Sequence, residues 1–205
     1  EIITSREYSV SWLSEEVIKF LVRSDYARFI IGLDHPIVES VLREDLEALT
    51  LLPRHMQRLG HYRSAANQYV LSATTVVPRP AEVRLTDVEL ALSALRTAEE
   101  NRRAGRVSYG DSNFGTEKLQ KEAEVLKQEL QIQCAALARL SKNKEVVEKY
   151  GNVHLPLKDT IDKILVPHKL RDLMMRAAYY LDANPEAIRR SWVEQLEEYL
   201  RTPRI

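Results

Sequence analysis

The chain has 205 residues, and its content of 44% hydrophobic and 29% charged residues is ordinary for a globular protein. Its 30 basic and 30 acidic residues cancel, which disfavours binding to nucleic acid or to an anionic membrane through overall charge. The single cysteine excludes an intrachain disulfide, and no apolar run approaches the roughly 18 residues that a membrane-spanning helix needs.

The sequence begins at Glu1, without a methionine and without a charged-then-apolar leader. We therefore expect an excised domain or a processed product. One unpaired cysteine fits a reducing compartment, so the expected location is intracellular, in the cytoplasm or the nucleus, with no insertion into a membrane.

The first 80 residues predict an N-terminal helical sub-bundle. Ser14, followed by two glutamates, is typical of a helix N-cap with acids in the first turn. A short helical piece over residues 25–31 precedes Asp34, which predicts the cap of the next helix. A further helix is expected over residues 54–72, although Gly60 inside it costs about 1 kcal/mol relative to alanine.

Residues 73–85 differ in composition from the helical segments around them. Four consecutive β-branched residues are followed by Pro78 and Pro80, which favours an extended linker. A single edge strand is the alternative interpretation. We place a boundary here between an N-terminal sub-bundle, residues 1–80, and a C-terminal bundle, residues 81–205. The alternative is that both parts fold as a single domain.

Two long helices are predicted to form an antiparallel hairpin in the C-terminal bundle. Thr86 and the glutamate three positions later match a capping box, and the helix that follows is expected to end at Gly105. From Thr116 onward the apolar residues alternate spacings of four and three, which is typical of a coiled-coil heptad seam. A helix that continued to Tyr150 would be a rod of about 50 Å, and a break at residues 141–143 is the alternative. The first helix is expected to fold back on the second.

The remaining sequence predicts further helices. One follows Pro156 and is interrupted near Pro167, and the last begins at the cap signal of Asn184 and Pro185. Together these elements predict an all-α fold, a helical bundle of about seven or eight helices that contains the long hairpin.

No sequence motif predicts a catalytic residue, a cofactor site or a metal site. Gly110 and Gly115 have the spacing of a phosphate-binding loop, but Thr116 stands where that loop needs lysine. The same segment lacks the glycine that a calcium loop needs at its sixth position. No two histidines have the His-x-x-x-His spacing of ligands on one helix face. Cys134 has no evident base near it, so we interpret it as a small buried residue rather than a nucleophile.

A heptad seam without a catalytic motif favours a non-enzymatic protein-interaction or scaffold domain within a larger protein or assembly. The partner would be another protein or a second copy of the chain. Docking would use the seam leucines or aromatic residues left uncovered on the surface, and internal packing is the alternative for the seam. The seam leucines are Leu119, Leu126, Leu130, Leu137 and Leu140.

Two arginine clusters support a second hypothesis, a nucleic-acid-associated subunit. Arginine–phosphate contacts would make its binding salt-dependent, and Tyr109 and Phe114 would supply stacking surfaces. The alternative is that these arginines lie on solvated helix faces, favoured near a helix C-terminus by the dipole alone. A third hypothesis is an enzyme whose site assembles from distant positions. The arginines are Arg54, Arg58, Arg63, Arg96, Arg102, Arg103 and Arg106.

Overall fold

The structure is a computed structural model, and it describes residues 11–24, 26–44, 51–106 and 115–181 together with residues 186, 190, 193, 197 and 201. Within these residues it has ten α-helices and no strand, which confirms the predicted all-α fold. In chain order the helices are α1 (Ser11–Val22), α2 (Ala27–Ile30), α3 (Pro36–Glu44), α4 (Leu52–Arg58), α5 (Tyr62–Thr74), α6 (Ala81–Arg103), α7 (Thr116–Arg139), α8 (Lys144–Tyr150), α9 (Leu157–Thr160) and α10 (Arg171–Tyr180).

Two predicted helices are each divided by a turn. The single helix predicted over residues 54–72 is wrong, because Gly60 adopts a φ of +83° between α4 and α5, a left-handed conformation that interrupts a helix. The predicted break at residues 141–143 is confirmed. There the Asn143 side chain caps α8 by accepting a hydrogen bond from the Val146 amide at 3.4 Å. With 24 residues, α7 is therefore about 36 Å long rather than 50 Å.

The predicted capping box is also wrong. α6 begins at Ala81, so Thr86 lies inside the helix. Its hydroxyl donates to the Glu82 carbonyl one turn earlier, at 3.0 Å, which is the usual hydrogen bond of a threonine within a helix. Ser14 likewise lies inside α1 rather than at its start. The predicted end of α6 is confirmed, because Gly105 follows it with a φ of +70°.

The C-terminal part follows the prediction in outline. α9 continues as a short π-helix over Ile161–Leu165, and a turn that contains Pro167 separates this segment from α10. The described residues at 186, 190, 193, 197 and 201 are helical. The predicted cap of the last helix, Asn184 and Pro185, lies outside the described residues.

The chain divides into two compact units. Unit 1 comprises Glu1–Ser72 and Asp87–Lys121, and unit 2 comprises Ala73–Thr86 and Glu122–Ile205. Each unit is built from two separate stretches of chain, whereas the predicted boundary near residue 80 separates two contiguous segments. That boundary stays a prediction.

The N-terminal helices of unit 1 share a hydrophobic cluster that includes Ile18, Val38 and Leu52. His55 on α4 is also buried, with 1% of its surface exposed. Its Nδ1–H donates to the Ile31 carbonyl at 2.8 Å, so the buried imidazole has the partner that a polar group in a core requires.

α6 and α7 form the predicted antiparallel hairpin. In unit 1, Leu95 towards the end of α6 shares a cluster with Leu119 near the start of α7 and with Tyr69 on α5. In unit 2, Ala81 at the start of α6 shares a cluster with Leu137 near the end of α7. The two helices therefore run in opposite directions.

The linker between α5 and α6 is held by one buried arginine of unit 2. Residues 75–80 form no strand, so the edge-strand alternative is wrong. The linker is shorter than the predicted 73–85, because α5 continues to Thr74 and α6 begins at Ala81. Arg84 on α6 is fully buried, with 0% exposure. Its guanidinium donates hydrogen bonds to five backbone carbonyls, four before Arg84 in the sequence and one after it. The accepting carbonyls are those of Ala73 (2.6 Å), Thr75 (2.9 Å), Val77 (2.7 Å), Arg79 (3.1 Å) and Asn152 (3.4 Å).

A buried glutamine shapes the turn between α8 and α9, also within unit 2. Gln133 on α7 is fully buried. Its Nε2 donates to the carbonyls of Tyr150 (2.9 Å) and Val153 (2.6 Å), and its Oε1 accepts from the Leu155 amide (3.2 Å). The buried amide of this polar residue, at a seam position of α7, thus forms its hydrogen bonds with backbone groups.

Candidate functional site

The seam leucines of α7 lie in the core. Leu119, Leu126, Leu130 and Leu137 are buried, and Leu140 is half-buried. A side chain that is buried in the folded chain has no surface left for a partner. Four of the five seam leucines therefore pack internally.

The structure brings part of both predicted arginine clusters together in unit 1. Arg63 at the start of α5 and the arginines at the end of α6 line one groove of about 400 Å³, with the start of α7 as its third side. We call it the arginine groove. The residues that line it are Gly60, Tyr62, Arg63, Leu95, Ala98, Glu99, Asn101, Arg102, Arg103, Arg106, Thr116, Glu117 and Gln120.

Helix ends explain why these side chains meet. α6 terminates just before Gly105, which leaves its last arginines beside the start of α7. Gly115 precedes α7 with a φ of +87°, and a Cβ at this position would lie 3.3 Å from the Arg63 Nη2 atom. A residue without a side chain therefore permits the guanidinium of α5 to approach the first turn of α7.

A carboxylate already occupies part of the groove. Glu99 accepts hydrogen bonds from Arg102 Nε (2.7 Å) and Arg102 Nη2 (2.6 Å), and from Arg103 Nε (3.0 Å). Hydrogen bonds from these two arginines lower the pKa of Glu99 to about 2, so this carboxylate is ionised at physiological pH. With Glu117, the lining has four arginines and two glutamates, a formal charge of +2.

The other predicted arginines do not line the groove. Arg54, Arg58 and Arg96 are exposed at other positions of unit 1. Arg54 lies near Tyr69, whose pKa is raised by burial and lowered in part by the charge of this arginine. The first cluster is therefore divided between a structural contact, solvent and the groove.

Sequence reasoning missed the acidic members of the groove. Glu99 stands three and four positions before Arg102 and Arg103, which is the spacing of ion pairs on a helix. That signal predicts the local pairing. Glu117 has no comparable signal, because its proximity to the arginines depends on the packing of α7 beside α6.

Other chemistry in the described residues is limited. The thiol of Cys134 is half-buried, and burial raises its pKa to about 11, which fits the interpretation of a non-nucleophilic residue. Among the described residues, no group of three or more His, Cys, Asp or Glu side chains is placed to hold a metal ion. Residues 107–114, which include most of the segment compared with phosphate-binding and calcium loops and also Tyr109 and Phe114, lie outside the described residues. No helix in the described part is both long and apolar enough to cross a bilayer.

Comparison with solved structures identifies proteins that are similar to this chain. The Nup170 CTD from Chaetomium thermophilum, in its complex with Nup145N, superposes with a TM-score of 0.74 at 18% identity, covering 91% of this chain and 37% of that chain. A mutant of the same Nup170 CTD gives a TM-score of 0.78 at 18% identity, covering 94% and 35%. The chain shares its fold with these nucleoporin domains.

A third similar structure, Nup170 SOL from the same organism, gives a TM-score of 0.76 at 18% identity and covers 91% of this chain and 26% of that one. The chain thus spans between 26% and 37% of the length of these three structures. No protein-family model and no curated protein sequence matches the chain.

Proposed function

We propose that the chain is a non-enzymatic helical scaffold module that holds a protein partner within a larger assembly of the nuclear-pore type. The observation that carries this proposal is the likeness of fold to Nup170 domains over 91% of the chain, with a TM-score of 0.74. One of those domains was crystallised in a complex with Nup145N. By that likeness, the ligand of this chain is another protein.

Exposed aromatic residues of unit 1 support a protein partner. Phe20 on α1 is 71% exposed, and Tyr26 and Phe29 at α2 are 60% and 59% exposed. The Arg28 guanidinium lies 4.9 Å from the centre of the Phe29 ring. Aromatic and arginine side chains supply much of the binding energy at protein interfaces, so this surface fits docking through uncovered aromatic residues.

The heptad seam has a structural part in this proposal. Its buried leucines pack inside the chain, and close packing of this kind restricts the motion of α6 and α7. A rigid hairpin presents its surface residues in a fixed arrangement, which lowers the entropic cost of binding. A nucleic-acid partner is not proposed, because two glutamates also line the arginine groove, and one of them, Glu99, is already paired with Arg102 and Arg103.

The proposal is tested by isolating the assembly that contains the full-length protein. The protein is tagged at its chromosomal locus, mildly cross-linked and purified, and the proteins recovered with it in stoichiometric amounts are identified by mass spectrometry. Each is then purified and mixed with the chain, and the complex is measured by sedimentation velocity. We expect a defined complex and a fluorescent fusion at the nuclear rim.

Two outcomes would overturn the proposal. One is a chain that stays monomeric with every purified candidate while the fusion is distributed evenly through the cell. The other is co-purification that nuclease treatment abolishes, since the assembly would then be held by nucleic acid.

A further inference from the structure

We propose that the arginine groove of unit 1 binds a short acidic segment of the partner protein through carboxylate side chains. This inference rests on the proposed function, since it specifies the chemistry of the partner at one surface. The occupant is a peptide with two acidic residues close together and an apolar residue beside them.

The donors of the groove favour a carboxylate ligand. Arg103 donates to Glu99 through Nε, which leaves its two terminal nitrogens for another acceptor. Arg103 at the end of α6 and Arg106 just after it are both exposed, and both line the groove. A guanidinium binds a carboxylate through two parallel hydrogen bonds, with more geometric specificity than lysine provides.

The internal glutamate shows that the groove accommodates this chemistry. Glu99 lies 2.6 to 3.0 Å from the nitrogens of Arg102 and Arg103, which are the distances of charge-assisted hydrogen bonds. A second carboxylate from a partner would bind the remaining donors beside it. Arg63, which lies close to Gly115 just before α7, would add a cation from the other side.

Charge and lining select a peptide over a polynucleotide. The formal charge of the lining is +2, which two ligand carboxylates would neutralise. A nucleic-acid strand carries one charge for about every 3.4 Å of its length and would place further phosphates against Glu99 and Glu117. Tyr62 and Ala98 also line the groove, and their apolar surface suits a neighbouring apolar side chain of a peptide.

The inference is tested with a fluorescein-labelled peptide that contains Glu-Leu-Glu in a Gly-Ser background. Binding to the full chain is measured by fluorescence anisotropy at physiological salt. We expect saturable binding that is weakened about tenfold or more by Arg103→Glu and by Arg106→Glu. Arg96→Glu is the matched control, because it makes the same charge change at an exposed position of the same helix outside the groove, and it should leave the affinity within about twofold.

Controls separate a folding defect from a loss of contact. Each variant is checked by circular dichroism, and Arg103→Gln, which removes the charge without reversing it, should give an intermediate loss. A peptide with glutamine in place of both glutamates should not bind. An oligothymidylate of the same net charge should bind more weakly than the acidic peptide.

Three results would overturn the inference: no saturable binding of the acidic peptide, an equal loss with Arg96→Glu, or tighter binding of the oligothymidylate. Failure here is distinguishable from failure of the proposed function. If Arg103→Glu and Arg106→Glu still recover the full set of partner proteins, the scaffold proposal stands and the groove is not its contact surface.

Discussion

Replacing Arg84 by methionine is expected to destabilise unit 2 strongly. Methionine occupies a similar length of space but donates no hydrogen bond, whereas the backbone carbonyls that Arg84 serves stay in place. A buried acceptor that loses its donor costs about 1–3 kcal/mol. The bond to Ala73 is buried, and the other four are partly buried, so water replaces some of the lost donors. We expect a loss of about 3–5 kcal/mol, from one fully unsatisfied carbonyl and smaller losses at the carbonyls that water reaches.

The change is measured by urea unfolding followed by circular dichroism. With a slope of about 2 kcal/mol per molar urea, the midpoint should fall by about 2 M. Arg84→Lys keeps the charge but replaces the planar fork by a compact ammonium, so its loss should be intermediate. Arg96→Met, at an exposed position of the same helix, should stay within about 0.5 kcal/mol. A midpoint for Arg84→Met equal to that of Arg96→Met would refute the role given to the carbonyl contacts.

Three further predictions concern stability and reactivity. Gln133→Met removes three hydrogen bonds to backbone groups and should lower the free energy of unfolding by about 2–4 kcal/mol. A loss under about 0.5 kcal/mol in the same urea assay would contradict the role given to these hydrogen bonds. Gly115→Ala forces a side chain into a φ of +87° beside Arg63 and should cost about 1–2 kcal/mol. Gly32→Ala is the control, because the φ of Gly32 lies outside the left-handed region. An equal decrease in Tm for the two variants would show that the conformation of Gly115 is not constrained. Because burial raises the pKa of Cys134 to about 11, only about 0.1% of this thiol is ionised at pH 8, against roughly a quarter of a free cysteine. The greater nucleophilicity of a high-pKa thiolate offsets part of this difference, so its reaction with Ellman's reagent at pH 8 should be about tenfold or more slower than that of free cysteine. The rate should rise up to pH 11, and a rate close to that of free cysteine at pH 8 would contradict the burial.

Hydrophobic periodicity and glycine positions predicted the helical fold because both signals are local. Apolar spacing located α7, and Gly105 located the end of α6. The error at Gly60 came from treating that glycine as a cost inside a helix, whereas its left-handed conformation divides α4 from α5. The ends of helices are the least accurate part of a prediction from sequence, because they depend on local backbone conformation.

The role of Arg84 could not be read from hydropathy. With α6 starting at Ala81, Arg84 and Val88 fall on the same buried face at helical spacing. An arginine is nevertheless expected at the surface. Its acceptors lie at the end of α5, on the linker and at Asn152, 68 residues away in sequence. Only the tertiary structure places those carbonyls around it.

The arginine groove was predictable in part. Both clusters are visible in the sequence, and the spacing of Glu99, Arg102 and Arg103 indicates their ion pairs. That Arg63 joins them, while Arg58 does not, follows from the position of α5 beside the hairpin within unit 1. The seam leucines that suggested an interface are buried, apart from the half-buried Leu140.

A protein partner at the arginine groove is tested most directly by photo-cross-linking in cells. A benzophenone amino acid is introduced into the full-length protein at Glu117, which is exposed and lines the groove, or at Glu124, which is exposed on the same helix outside it. After irradiation, we predict one discrete protein adduct from position 117 and little from position 124, with a cross-linked peptide of the partner that is rich in Asp or Glu. Equal adducts at both positions, or adducts that nuclease removes, would contradict the account.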